Sequence, residues 1–160
     1  MVVLKSFIVS LFLLGATLAS AAELTNSELD SLKPFANAEA AEGKDVRFLY
    51  LWATWCPDCR EKLRGDIPNF KKEFPQVSVQ TVNMDRRADK ATGFITDEKV
   101  SLTVLRDEEK LLTKKLQLYS VPAWVVIKRD GEKWTVVGKA MGSDLQDIRT
   151  SLAQATGGKL

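Results

Sequence analysis

Cys56 and Cys59 are the residues whose type and spacing point most directly to chemistry. They are the only two cysteines among 160 residues, and the run around them, residues 52–60, reads Trp-Ala-Thr-Trp-Cys-Pro-Asp-Cys-Arg. Two thiols separated by two residues can close into a disulfide and open again. A helix N-terminus stabilises negative charge, and the thiolate is the form that attacks a disulfide. A helix beginning at Cys56 would therefore make this pair a redox centre.

Other uses of the two thiols are limited by what the chain lacks. It has no histidine and no further cysteine. A Cys-His or Ser-His nucleophile is therefore excluded, and a four-ligand zinc site has no partners within one chain, so no metal site is predicted. Zinc shared between two chains stays open as an alternative. So does a static disulfide, although a bridge across two residues closes too short a loop to add much stability.

The elements that must position the pair are predicted from hydrophobic patterning. Residues 45–53 are apolar at nearly every position, which is typical of a central strand covered on both faces. Capping residues and helical spacing predict a helix from Cys56 to Leu63, a break at Gly65 and a second helix ending before Pro75. The other patterns predict helices over residues 25–32, 107–118 and 143–155, strands over 77–82, 99–105, 121–127 and 134–138, and a loop or short helix over 86–95. This mixture predicts an α/β fold of three layers, with a central mixed β-sheet flanked by helices.

The first 21 residues are predicted to be an export signal rather than part of the fold. Lys5 supplies the positive start, and the apolar stretch over residues 7–16 is shorter than the roughly 20 residues that span a bilayer. Ala19-Ser20-Ala21 fits the pattern of a cleavage site. We predict cleavage near Ala21 and one domain over residues 22–160. The alternative is an uncleaved signal that anchors the protein in the membrane.

The charge of the remaining chain is nearly balanced. Loss of the signal removes one of the 23 basic residues and none of the 21 acidic ones. Such a balance provides no electrostatic attraction for nucleic acid or for an anionic membrane surface, so neither is a predicted partner.

With these motifs in place, the chain resembles the exported TlpA-type thiol-disulfide oxidoreductases of the thioredoxin fold. The resemblance rests on the cysteine motif, on Val121-Pro122, and on the strand-turn sequence Ile-Lys-Arg-Asp-Gly over residues 127–131. It implies a thioredoxin-like domain without a cofactor, in which Cys56 is the attacking thiol and Cys59 the resolving thiol. It also implies a cis peptide at Val121-Pro122 that faces the disulfide and offers the backbone of Val121 to a substrate strand.

Three neighbours of the cysteines complete the predicted motif: Trp55, Pro57 and Asp58. Pro57 suits the first helical position, where its missing N–H would be unpaired in any case. Asp58 places a carboxylate in the first turn, and a nearby negative charge raises a thiol pKa. A less stabilised thiolate makes the pair a better reductant. We therefore predict that Asp58 biases the protein toward reduction; the alternative is a solvent-facing acid with little influence.

The sequence departs from the family pattern at three places. Tyr50 stands where many thioredoxins carry a buried acid, so deprotonation of the resolving thiol passes to water, to the tyrosine hydroxyl or to no group. Residues 63–66 resemble an insertion, because Pro68 follows Cys59 later than the family's kinking proline does. Ala123 replaces a frequent threonine after the cis-proline, which predicts a different substrate groove.

Four aromatic residues near these motifs are assigned by packing arguments. Trp52 is predicted to form a wall beneath the site and Trp55 a partly exposed neighbour. Trp124 fits either the core or the substrate groove, and Tyr119 is given a packing role only.

The sequence as a whole predicts a monomeric periplasmic protein that reduces disulfide-containing protein clients. Such a reductant needs electrons from a membrane thiol-reductase, which is the implied donor, and cytochrome c maturation is a role known among relatives. Two alternatives stay open: an oxidant or isomerase of the same fold, and a non-catalytic binding module with a structural disulfide.

Overall fold

The computed structural model describes residues 22–38 and 43–158. The predicted signal over residues 1–21 lies outside the described residues. Within the described ranges no helix has both the length and the apolar character needed to cross a membrane.

In the described ranges, seven strands form one mixed sheet in the order β1-β7-β6-β3-β4-β5-β2. The pairs β3–β4 and β4–β5 are parallel, and the other neighbours are antiparallel. The strands and helices, in chain order, are β1 Glu23–Thr25, α1 Asn26–Asp30, β2 Lys33–Ala36, β3 Val46–Trp52, α2 Pro57–Arg64, α3 Asp66–Glu73, β4 Val77–Asn83, α4 Ala88–Asp97, β5 Thr103–Arg106, α5 Leu111–Leu116, β6 Ala123–Asp130, β7 Lys133–Met141 and α6 Leu145–Thr156.

Strand β3 divides the core into two halves because successive side chains point to opposite faces. Phe48, Tyr50 and Trp52 pack with buried side chains of α2, α3 and α6. Leu49 and Leu51 pack on the other face with buried side chains of α1 and α5. Helices therefore cover both faces of the sheet, which confirms the three-layer α/β fold predicted from the sequence.

The break between α2 and α3 lies where the sequence predicted it. Cys56 caps α2, Gly65 ends it, and α3 begins at Asp66. Asp66 itself makes no capping hydrogen bond. The predicted central strand, the helix start at Cys56 and the interruption at Gly65 are thus confirmed.

Strands β1 and β2, at the two edges of the sheet, were not predicted. β1 pairs with β7 over three residues, and β2 pairs with β5 around a register shift between Pro34 and Ala36. Segments this short show no measurable alternation of apolar and polar residues, and their hydrogen-bond partners are distant in sequence. Pro34 also stands at an edge, the place where a sheet tolerates a residue without an N–H.

Two helix boundaries predicted from the sequence were wrong. Helix α5 covers only part of 107–118, because Lys110 adopts a left-handed φ of 55° and the Asp107 carboxylate accepts the Thr113 N–H at 2.9 Å. Helix α6 begins at Leu145, two residues after the predicted start at residue 143, with Asp144 as its cap, since the Asp144 carboxylate accepts the N–H groups of Gln146 and Asp147. Residues 86–95, predicted to be a loop or a short helix, contain most of helix α4.

Candidate redox-active site

The two cysteines are joined by a disulfide at the N-terminus of α2. Their Cα atoms are 5.3 Å apart, and the Cys56 sulfur also accepts the backbone N–H of Cys59 at 3.2 Å. Pro57 occupies the first helical turn, as predicted. Cys56 retains 5% exposure whereas Cys59 is fully buried. Cys56, which caps the helix, is therefore the more accessible of the two cysteines.

Val121-Pro122 is a cis peptide, as the resemblance implied. Strand β6 starts at Ala123 beside Leu51, so the residues just before β6 and the motif just after β3 meet at the same end of the sheet. Val121 packs against the core cluster that contains both cysteines. Pro122 is held through its C=O, which accepts the Gly142 N–H at 2.7 Å. In the described part of the chain the N–H and C=O of Val121 have no hydrogen-bond partner, so both are available to a bound strand.

Tyr50, on β3, is fully buried among the residues beneath the disulfide. Burial, aided by the charges of Asp58 and Asp66, raises the pKa of its phenol above the ordinary value, although Ser143 acts in the opposite direction. Ser143 lies close enough to act on the phenol but does not complete a hydrogen bond with it. A phenol is ordinarily protonated at neutral pH, and burial shifts the pKa of Tyr50 further in that direction. Asp58, by contrast, is exposed on the first turn of α2.

Two exposed aromatic side chains flank the site. Trp55 is 67% exposed, as its predicted position next to the pair suggests, and Tyr119 is 72% exposed. Both line a cavity of about 630 Å³ that also reaches Val121 and the ends of β4 and β5. The packing role predicted for Tyr119 was therefore wrong. Trp52 and Trp124 are both buried in the core. Of the two positions predicted for Trp124, the structure therefore shows the core and not the substrate groove.

A buried polar network supports the turn that precedes Cys56. The Asp85 carboxylate accepts the N–H of Thr54 at 3.0 Å, the Thr54 hydroxyl at 2.8 Å and the Asn83 amide at 2.7 Å. Arg106 donates to the Asp85 C=O at 2.9 Å and to the Asn83 side-chain oxygen at 3.4 Å. The sequence prediction ended this strand at residue 82 and assigned no role to Asn83 or Asp85. Two polar side chains at the end of an alternating strand were the signal that could have found them.

No group of three or more cysteine or carboxylate side chains in the described ranges is arranged to hold a metal ion. The chemistry that the described arrangement can perform is thiol-disulfide exchange, because it presents one bonded cysteine pair at a helix N-terminus beside two free backbone groups.

Comparison with known proteins agrees with thiol-disulfide exchange at this cysteine pair. A model of the Redoxin family matches residues 19–152. Sporulation thiol-disulfide oxidoreductase A of Bacillus subtilis (strain 168) is 23% identical over 120 residues, which cover 66% of this chain and 72% of that protein.

Solved structures share the fold at lower identity. The N-terminal domain of PilB from Neisseria gonorrhoeae superposes with a TM-score of 0.64 and 21% identity, over 83% of this chain and 92% of that one. A secreted Mycobacterium tuberculosis disulfide oxidoreductase homologous to Escherichia coli DsbE has a TM-score of 0.58 and 16% identity, over 81% of this chain and 98% of that one. These likenesses establish the thioredoxin-like fold.

Proposed function

Because this chain belongs to the Redoxin family and is a thiol-disulfide oxidoreductase of the thioredoxin fold, we propose that it reduces disulfides of exported proteins through Cys56 and Cys59. The observation that carries the proposal is the cysteine pair at the N-terminus of α2, with Cys56 the more accessible partner and the unpaired backbone groups of Val121 at the same end of the sheet.

The proposed reaction begins with the reduced protein. The Cys56 thiolate attacks one sulfur of a client disulfide, a bond forms between them, and the second client sulfur leaves as a thiolate that takes up a proton. Cys59 then loses its proton and attacks the Cys56 sulfur, which releases the first client sulfur. Two electrons pass to the client, and the Cys56–Cys59 disulfide of the structure is the product form of the protein.

In this proposal the client lies as an extended strand against Val121, and Trp55 lies beside the reacting sulfur. Return to the dithiol needs an external reductant, and a membrane thiol-reductase is the donor class that fits an exported protein. We propose a monomer acting in the periplasm after cleavage near Ala21, with domain boundaries at residues 22–160.

Reduction of insulin disulfides tests the assignment. Wild-type protein with dithiothreitol is expected to accelerate the precipitation of the insulin B chain, and Cys56→Ser is expected to remove the acceleration, because the attacking sulfur is gone. Equal rates for wild type and Cys56→Ser would contradict the proposal and favour a binding module whose disulfide is structural.

Asp58 is proposed to set the direction of exchange. Removing its charge in Asp58→Ala should favour the Cys56 thiolate and raise the reduction potential by about 10–20 mV, the equivalent of the fraction of a kcal/mol that one exposed charge contributes at a helix terminus. Equilibration with glutathione measures the potential. Glu61→Ala removes the same charge one turn further along α2 and should shift the potential less. An unchanged or more negative potential for Asp58→Ala would contradict the idea.

A further inference from the structure

We propose that Asp85 is a positioning residue for the redox reaction, which it serves by fixing the turn that presents Cys56. The inference rests on the proposed role of Cys56 as the attacking thiol. Asp85 lies just after β4, 31 positions from Thr54 in sequence, yet both of its carboxylate oxygens point at Thr54. The residue is only 6% exposed.

The contacts of Asp85 are directed at the motif rather than at a neutralising cation. Its carboxylate accepts two donors from Thr54 and one from Asn83, and no lysine or arginine side chain of the described chain reaches either carboxylate oxygen. Arg106 is bonded to the backbone C=O instead. Burying a carboxylate with no direct ion pair is costly unless each oxygen finds donors. The site meets that cost with the Thr54 N–H and hydroxyl.

Further hydrogen bonds hold the backbone of Asp85 and its neighbours in place. The Asp85 N–H donates to the Asn83 side-chain oxygen at 3.1 Å, and Met84 N–H donates to the Trp52 C=O at 2.8 Å. Arg106, at the end of β5, bonds to both Asn83 and Asp85. The carboxyl ends of three neighbouring parallel strands are thereby tied together under the motif.

The turn itself connects Thr54 to the reacting sulfur. The Cys56 N–H donates to the Ala53 C=O at 3.1 Å, so residues 53–56 form one turn with Thr54 inside it. Cys56 closes this turn and also caps α2, where its sulfur accepts the Cys59 N–H at 3.2 Å, so the turn and the sulfur are joined through one residue. Displacement of a reacting group by about 1 Å can lower a rate by a hundredfold. Loss of the Thr54–Asp85 contact should therefore weaken both the stabilisation and the alignment of the Cys56 thiolate.

The test measures the Cys56 thiolate directly, by iodoacetamide alkylation across pH in a Cys59→Ser background. Thr54→Val removes the hydroxyl donor without changing charge and should slow alkylation at pH 7 by about threefold, with the pH midpoint moved upward. Thr54→Ser keeps a hydroxyl and should restore the rate. The matched control is Thr81→Val, which removes another buried hydroxyl from β4, one that donates to the Thr103 C=O at 3.2 Å. It should lower stability but not move the pH midpoint.

A double-mutant cycle assigns the effect to Asp85. In an Asp85→Ala background Thr54→Val should change the alkylation rate no further, because the partner of the hydroxyl is already gone. Asp85→Val, which also lacks an acceptor for the Thr54 hydroxyl, takes its place in the cycle if Asp85→Ala does not fold. The proposal is overturned if Thr54→Val and Thr81→Val leave the same pH midpoint, or if the Thr54→Val effect persists in full without Asp85. A wild-type Cys56 that shows no reactive thiolate near neutral pH would instead refute the proposed function.

Discussion

Replacing Cys59 by serine is expected to stop turnover and leave the protein covalently bound to its client. Cys56 can still attack a disulfide in this variant, but the group that would displace the client thiol is gone. Cys56 and Cys59 are the only cysteines of the sequence, so no other thiol of the chain can replace Cys59. The mixed disulfide should therefore accumulate nearly quantitatively, with multiple-turnover activity lost by a factor of about a thousand or more.

Non-reducing electrophoresis and intact mass measure this trap with oxidised insulin as the defined probe. A dithiothreitol-sensitive adduct of one insulin chain per protein is expected for Cys59→Ser and none for Cys56→Ser, which is the matched control. Adduct formation by Cys56→Ser would reverse the assignment of the two sulfurs. Absence of adducts from both variants would contradict the reductase, and an empty trap in the native cell envelope would count against a general reductase.

Gly138→Ala is expected to lower the free energy of unfolding by about 1–3 kcal/mol, the range for forcing extra atoms into a packed core. Gly138 lies on β7 beneath α6. A Cβ atom built there would lie 2.8 Å from the Cβ of Ser151 and 3.2 Å from Cζ3 of Trp124. Ser151 Oγ would lie closer still. Neither the helix backbone nor the buried indole can move aside cheaply, so α6 must shift outward. With total stabilities of about 5–15 kcal/mol, such a loss is easily resolved.

Urea unfolding followed by circular dichroism measures the change. Gly93→Ala is the matched control because the added Cβ meets no atom within 4 Å and the residue lies within helix α4. That variant should gain about 0.5–1 kcal/mol from helix propensity. A Gly138→Ala protein as stable as wild type would mean that α6 does not pack as closely on β7 as described.

Most of the fold could be predicted because its longest elements have strong local patterns. Strand β3 is apolar at nearly every position, and the break between α2 and α3 lies at Gly65, a residue type that interrupts helices. The edge strands β1 and β2 could not be predicted, since three or four residues gain their strand conformation from partners far along the chain. The late start of helix α5 within the predicted range 107–118 likewise depends on a side-chain contact, in which the Asp107 carboxylate accepts the Thr113 N–H.

The predicted site residues were those with a local signature. Cys56, Pro57 and Cys59 identify themselves by type and spacing, and Val121-Pro122 followed from the resemblance. Exposure has no such signature. An aromatic residue such as Tyr119 reads as core from sequence, and only the placement of its backbone before β6 leaves its ring in solvent.

The sequence by itself determined the chemistry of this protein: two thiols at a helix start, with no histidine or third cysteine to redirect them. Only the tertiary structure decided which residues contact and position the elements around this pair. Thr54 and Asp85 meet because β3 and β4 run parallel. The residues that follow the two strands therefore lie at the same end of the sheet. Gly138 and Ser151 meet because α6 folds back over β7. Spacing along a chain can encode a reactive pair, whereas contacts between residues tens of positions apart arise only when strands and helices pack.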